Sequence, residues 1–160
     1  MNEFAPMCTG CGQKMRKSST SLSASGSSYS LAVSGVPVYS CDNCSSSLVL
    51  ADGHNTVTEL TTTIINALDT LAPIGFNVPM GSPRQCRYCR ADLPKEIDPN
   101  KAHFTASARL EPSGEVIGVE YYGDALSCPK CGRKHPFITG GTCHEIAREI
   151  QLAASHYIYD

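Results

Sequence analysis

Hydrophobic periodicity in this chain switches between two regimes, and it does so twice in the same order. From Val57 the apolar residues recur at Leu60, Ile64, Leu68 and Leu71, with Ala67 beside them. From Ile146 they recur at Ala147, Ile150, Ala153, Ala154 and Tyr157. Both are the three-to-four-residue spacing of an amphipathic helix. Each stretch opens on Thr-x-x-Glu, TVTE at 56–59 and TCHE at 142–145. That pattern is a capping box, in which the Thr hydroxyl and the Glu carboxylate satisfy free amides at the helix start. The spacing therefore predicts helices from Thr56 and Thr142. Pro73 and Gly75 stop the first, and the second runs to about the C-terminus.

Upstream of each helix the period shortens to two. SYSLAVSGVPVYSC reads as two short strands about Ser34 and Gly35. AHFTASARLEPSGEVIGVEYYGDALSC reads as two longer strands about Pro112, Ser113 and Gly114. The segment SSTSLSASGSSYS, residues 18–30, is dominated by serine and is expected to be a loop, with a polar-faced strand as the alternative. PIGFNVPMGSP, residues 73–83, reads as an extended, partly apolar linker able to pack between the halves or to add to a partner's sheet edge.

Cysteine changes the picture most. Eight of the nine fall in four Cys-x-x-Cys pairs: Cys8/Cys11, Cys41/Cys44, Cys86/Cys89 and Cys128/Cys131. A disulfide scaffold needs an export route. The N-terminus, MNEFAPMCTG, has neither a basic start nor an apolar centre, so no leader is expected. Redox pairs usually come singly near a βαβ pattern. Four pairs taken two and two read best as two tetrahedral four-thiolate sites, for two zinc ions, with iron as the alternative. Sequence order assigns Cys8, Cys11, Cys41 and Cys44 to one site and Cys86, Cys89, Cys128 and Cys131 to the other; an interleaved cross-brace is the other pairing. Gly12 and Gly132 follow their knuckles and let the chain turn away. Binding at such sites is worth about 10–16 kcal/mol at neutral pH, comparable to the whole net stability of a domain, about 5–15 kcal/mol.

The order knuckle, hairpin, knuckle, helix thus occurs twice and reads as an internal repeat. The expected fold is a small α+β zinc-binding protein of two tandem zinc-ribbon-like modules, each followed by an amphipathic helix. Residues 1–72 form the first, 73–85 a linker, and 86–160 the second.

Residues 7–71 resemble the YgiT-type zinc-finger family, known from the N-terminal domain of MqsA-like antitoxins. The resemblance rests on MCTGC at 7–11, VSGVPVYSCDNC at 33–44 and the helix that follows. It implies structural zinc on Cys8, Cys11, Cys41 and Cys44, and a zinc domain able to bind a partner protein. Antitoxins of this type continue into a DNA-binding helix-turn-helix, whereas this chain continues into a second knuckle set. Residues 86–136, with CRYC and CPKCGRKHPF, are similar to a generic zinc ribbon.

Net charge is −2 over 160 residues, which is no signature of a general nucleic-acid binder. Lys14, Arg16 and Lys17 flank the first knuckle, and Arg87, Arg90, Lys130, Arg133 and Lys134 flank the second pair. They can meet phosphates, or they are a solvated surface. Tyr88, Tyr121, Tyr122 and Phe137 can stack on bases or fill a thin core. His135 is a conceivable replacement ligand. Cys143 at a helix start is a conceivable reactive thiol, with a small core residue as the plainer role. His144-Glu145 is not HExxH, since position 148 is Arg, and no P-loop or nucleophile elbow is present. No apolar run reaches the roughly 18–20 residues of a membrane helix. The expected protein is a non-catalytic, cytoplasmic adaptor or scaffold, a subunit or regulator of a larger complex acting through protein–protein contacts. A nucleic-acid-binding ribbon or an antitoxin-like regulator is the alternative. The sequence leaves the oligomeric state open.

Overall fold

The computed structural model describes residues 7–8, 10–44, 48–50, 53–71, 84–94, 96–110 and 114–155. Strands β1 (Arg16–Ser25) and β2 (Tyr29–Ser40) form an antiparallel hairpin, followed by β3 (Leu48–Leu50) and helix α1 (Gly53–Asp69). Strands β4 (Ala102–Arg109) and β5 (Val116–Gly123) form a second hairpin, followed by β6 (Ala125–Ser127), β7 (Lys134–Pro136) and helix α2 (Gly140–Ser155). The protein is α+β, as expected.

The two hairpins join. β2 pairs antiparallel with β5, giving one sheet in the order β1-β2-β5-β4, with β3 added on β2. Ala32 lies opposite Glu120 at the centre of that pairing, with Leu31 opposite Tyr121 on one side and Val33 opposite Val119 on the other. Each helix crosses to the far hairpin: α2 packs on β1, α1 packs on β4, and the helices touch. Leu31, Val33, Ile117, Val119 and Tyr121 from the middle strands meet Leu60, Ile64, Ile146 and Ile150 from the helices in one core. The segments read as separate modules, 1–72 and 86–160, therefore share a sheet and a core. That is how a chain with two short apolar stripes finds enough surface to bury.

Two local readings are corrected. The first hairpin does not turn at Ser34 and Gly35. Its turn lies at residues 26–28, and β2 runs through as a single strand. The serine-rich segment is consequently not a loop: it supplies β1, with Leu22 and Ala24 inward and serines outward. Ser34 and Gly35 mark a bulge, where the register slips between Thr20 opposite Val36 and Leu22 opposite Val33. One extra residue moves the inward positions of β2 from Tyr29, Leu31 and Val33 to Val36 and Val38. Gly35 carries φ 76°, and a Cβ there would stand 2.9 Å from the Val116 carbonyl oxygen. Both properties demand glycine. Pro37 falls after β2 has left β5 and before it meets β3, where a missing N–H is tolerated.

The helix starts are also earlier than the capping boxes indicate. α1 begins at Gly53 and α2 at Gly140. For α2 the cap is Thr139, whose hydroxyl accepts from the Thr142 amide at 3.1 Å. Of the expected stripes, Val57, Leu60, Ile64, Ala67 and Leu68 are buried on α1 and Ile146, Ile150 and Ala154 on α2, while Leu71, Ala147 and Ala153 are half-buried. Tyr157 and the linker 73–83 lie outside the described residues. No helix of the described residues is long and apolar enough to cross a membrane.

Candidate metal centres

Three of the four knuckles, those opening at Cys8, Cys86 and Cys128, are built by the same two backbone hydrogen bonds. The amide four residues after the first cysteine returns to that cysteine's carbonyl: Gly12 to Cys8 at 2.8 Å, Arg90 to Cys86 at 2.8 Å and Gly132 to Cys128 at 2.9 Å. The first cysteine's own amide donates five residues on, Cys8 to Gln13, Cys86 to Ala91 and Cys128 to Arg133. The turn closes only if the residue after the second cysteine is left-handed. Gly12, Arg90 and Gly132 have φ 73°, 63° and 75°. Arg90 is the described non-glycine residue with positive φ. Sequence reasoning identified the two glycines but gave no sign that an arginine holds the same conformation.

The knuckles bring the eight sulfurs together as sequence order assigns them. Cys8, Cys11, Cys41 and Cys44 form one set and Cys86, Cys89, Cys128 and Cys131 the other, all ligand atoms of a set lying within 4.8 Å of one another. Close pairs are Cys11–Cys41 at 3.4 Å, Cys89–Cys128 at 3.4 Å and Cys86–Cys131 at 3.6 Å. A tetrahedral ion with bonds of about 2.3 Å to sulfur separates its ligands by roughly 3.8 Å. The donor sets thus fit a closed four-thiolate ion, and each can hold zinc. In each set the first cysteine of each pair is buried, Cys8 and Cys41 in one and Cys86 and Cys128 in the other. Four protein ligands leave no position for water or substrate, which suits a structural ion and not a catalytic one.

The two sites differ in what surrounds the sulfurs. At the first, the Cys44 amide donates to Cys41 Sγ at 3.3 Å. Met15 and Tyr39 pack alongside. Crowding by the Cys11 and Cys8 thiols, with burial, pushes the Cys44 thiol up to about 12. At the second, the Tyr88 amide reaches Cys86 Sγ at 3.4 Å and the Cys131 amide reaches Cys128 Sγ at 3.5 Å. His135, fully buried on β7, places Nε2 3.2 Å from Cys86 Sγ. Burial opposes ionisation of Cys86. The Cys89 and Tyr88 amides, His135 and Cys131 outweigh it and bring the thiol down to about 5. His135 is therefore a hydrogen-bond partner of a ligand, not a substitute for one. Such contacts orient thiolates and tune the ion.

The charged candidates divide by partner. Arg16 pairs with Asp42 at 3.1 Å, Lys17 with Glu115 at 3.1 Å and Lys134 with Asp98 at 3.9 Å. Lys14 is exposed beside the first knuckle, in a bridge to Met7. Arg87, Arg90, Lys130 and Arg133 are exposed, and none has a carboxylate in ion-pair range among the described residues. The Arg133 guanidinium lies 4.3 Å over the Tyr88 ring, and Arg84 lies 4.8 Å over Phe137. Tyr121 is a core residue stacked on Tyr29, whereas Tyr122 sits on the open face against His103. Cys143 is half-buried against the core, and burial, with Asp69, raises its thiol pKa.

No protein-family profile, curated protein or solved structure matches this chain.

Proposed function

We propose that the chain is a non-catalytic adaptor whose two zinc ions hold the fold together and whose β4 edge receives a partner protein. The two four-cysteine sets establish a candidate metal-binding protein. The observation that carries the finer reading is the state of β4. It is an outer strand of the sheet, and no described residue pairs with its free edge. Its inward row, Ala102, Phe104, Ala106 and Ala108, is only half-buried, whereas the matching strand β1 buries Leu22 and Ala24 beneath α2. Between β4 and α1 runs a groove of about 460 Å³, lined by Thr58, Thr62, Asn66 and Thr70 on the helix and Ser107 and Arg109 on the strand. An open edge beside a groove is where an extended segment adds as a further strand.

The resemblance of residues 7–71 to the YgiT-type domain supports partner binding through a zinc-held module, and the recurring element order supports an internal duplication. Closed thiolate sites support the absence of metal catalysis. Affinity capture from the native host, read by mass spectrometry, tests the reading when run beside Thr105→Pro, which removes an amide from β4. A partner retained by the zinc-loaded protein and lost by the variant is expected. Partners that bind both equally, or a purified protein holding fewer than two zinc ions per chain, would overturn it.

A further inference from the structure

Three knuckles share one backbone, and two of them place glycine at its left-handed position. The third places Arg90 there, at φ 63°. A left-handed residue with a Cβ is strained relative to its ordinary conformations, and glycine removes that strain. The neighbouring knuckles show that glycine satisfies the turn, so the arginine is not there for the fold. Backbone strain retained at one position points to what its side chain does.

The surroundings of Arg90 indicate the ligand. Arg87 and Arg90 bracket Cys89 on one knuckle, and Lys130 and Arg133 bracket Cys131 on the other. The second metal set brings these knuckles together. All four cations are exposed and without carboxylate partners among the described residues. Four thiolates around a divalent ion leave two negative charges, fewer than the four cations present. The first site carries a smaller surplus: Arg16 and Lys17 beside it pair with Asp42 and Glu115, which leaves Lys14. Tyr88, between Arg87 and Cys89 in the chain, is 52% exposed, with the Arg133 guanidinium 4.3 Å from its ring centroid and the His135 ring at 5.3 Å. Three of the four cations are arginines, whose fork matches phosphate oxygens and whose plane stacks on bases. A planar π surface within unpaired arginines suits a phosphate chain carrying exposed bases.

We infer that the knuckle face of the second metal site, formed by Arg87, Tyr88, Arg90, Lys130 and Arg133, binds single-stranded nucleic acid. This surface uses none of the residues of the β4 edge, so the two readings fail separately. The test is fluorescence anisotropy of the zinc-loaded full chain with a labelled mixed-sequence 15-mer, as RNA and as DNA, between 50 and 200 mM salt. Binding should weaken with salt at a logarithmic slope of about −2 to −3, as release of counterions from three or four phosphates requires. The RNA and DNA arms establish which sugar is preferred. Arg90→Gly is the deciding variant: it should melt at or above the wild-type temperature while binding roughly 5-fold more weakly. Arg133→Ala should weaken binding to a similar degree, whereas Arg16→Ala should leave it unchanged. Absence of binding at 50 mM salt, equal affinity of Arg90→Gly and wild type, or equal binding of a polyglutamate chain would each overturn the assignment.

Discussion

His135 Nε2 lies 3.2 Å from Cys86 Sγ, and this contact makes two otherwise similar metal sites unequal. A fully buried imidazole that donates to a thiolate both fixes the sulfur and spreads its charge. Among the described residues, the metal set of the first site consists of four sulfurs with no imidazole. Loss of such a ligand-orienting partner typically costs about 10–100-fold in metal affinity. His135→Phe should therefore release one of two zinc ions at least tenfold faster to a chromogenic chelator, leaving the other phase unchanged. Acceleration of both phases together would show that the histidine supports the fold and not the ion.

Gly35 serves two demands that can be separated. Its φ of 76° penalises any side chain, and its position against the Val116 carbonyl leaves 2.9 Å for a Cβ. Gly114 shares the first demand, at φ 77°, but has nothing within 4 Å of the Cβ position. Gly114→Ala should thus cost about 1 kcal/mol, the conformational part. Gly35→Ala should cost that and the displacement of β2 from β5, in total about 2–3 kcal/mol. Urea unfolding of the zinc-loaded proteins measures both. Equal losses would place the bulge outside the energetics of the β2–β5 junction.

The Cys-x-x-Cys knuckles and the helix stripes were legible because each is a short-range pattern, and grouping successive knuckles instead of interleaving them matches the two sets in the structure. The second hairpin was legible because Gly114 does sit between its strands. The first hairpin was misplaced because Ser34-Gly35 looks the same in sequence whether it makes a turn or a bulge. The choice was made by Leu22 and Ala24, which become inward positions only once α2 arrives from the far end of the chain. The serines opposite them looked like a loop for the same reason. Both capping boxes lay inside the helices, since Thr56 comes three residues after Gly53 and Thr142 two residues after Gly140. His135 was weighed only as a ligand, because burial against Cys86 leaves no trace in the order of residues. The joining of both halves through β2 and β5 is invisible to any local reading.

Cys143 tests whether a helix start is enough to activate a thiol. It lies in the first turn of α2, yet burial, followed by the charge of Asp69, moves its pKa upward. A raised pKa leaves less thiolate at neutral pH than an ordinary cysteine has, and the thiolate is the reacting form. With both metal sites filled, alkylation of Cys143 should be slower at pH 7.5 than that of a free thiol peptide. The rate should continue to rise beyond pH 9. Labelling that saturates below pH 8 would mean the helix terminus prevails over burial.

The crossing of the helices makes the sharpest demand on the fold. Residues 1–72 contain a complete metal set, a hairpin and α1, so a modular protein should fold when cut there. In the structure α1 packs on β4, and Leu31 and Val33 of β2 are covered through β5 and α2, all supplied by the second half. The isolated half would expose those residues along an unpaired edge. The central register offers an exit, because a second copy of β2 can take the place of β5 across the position of Ala32. Zinc-loaded 1–72 should therefore sediment as a dimer, or aggregate, and not persist as a folded monomer. A monomer at micromolar concentration with dispersed amide resonances and a cooperative melt would show that each half carries its own core. The shared sheet would then be an association of two finished domains.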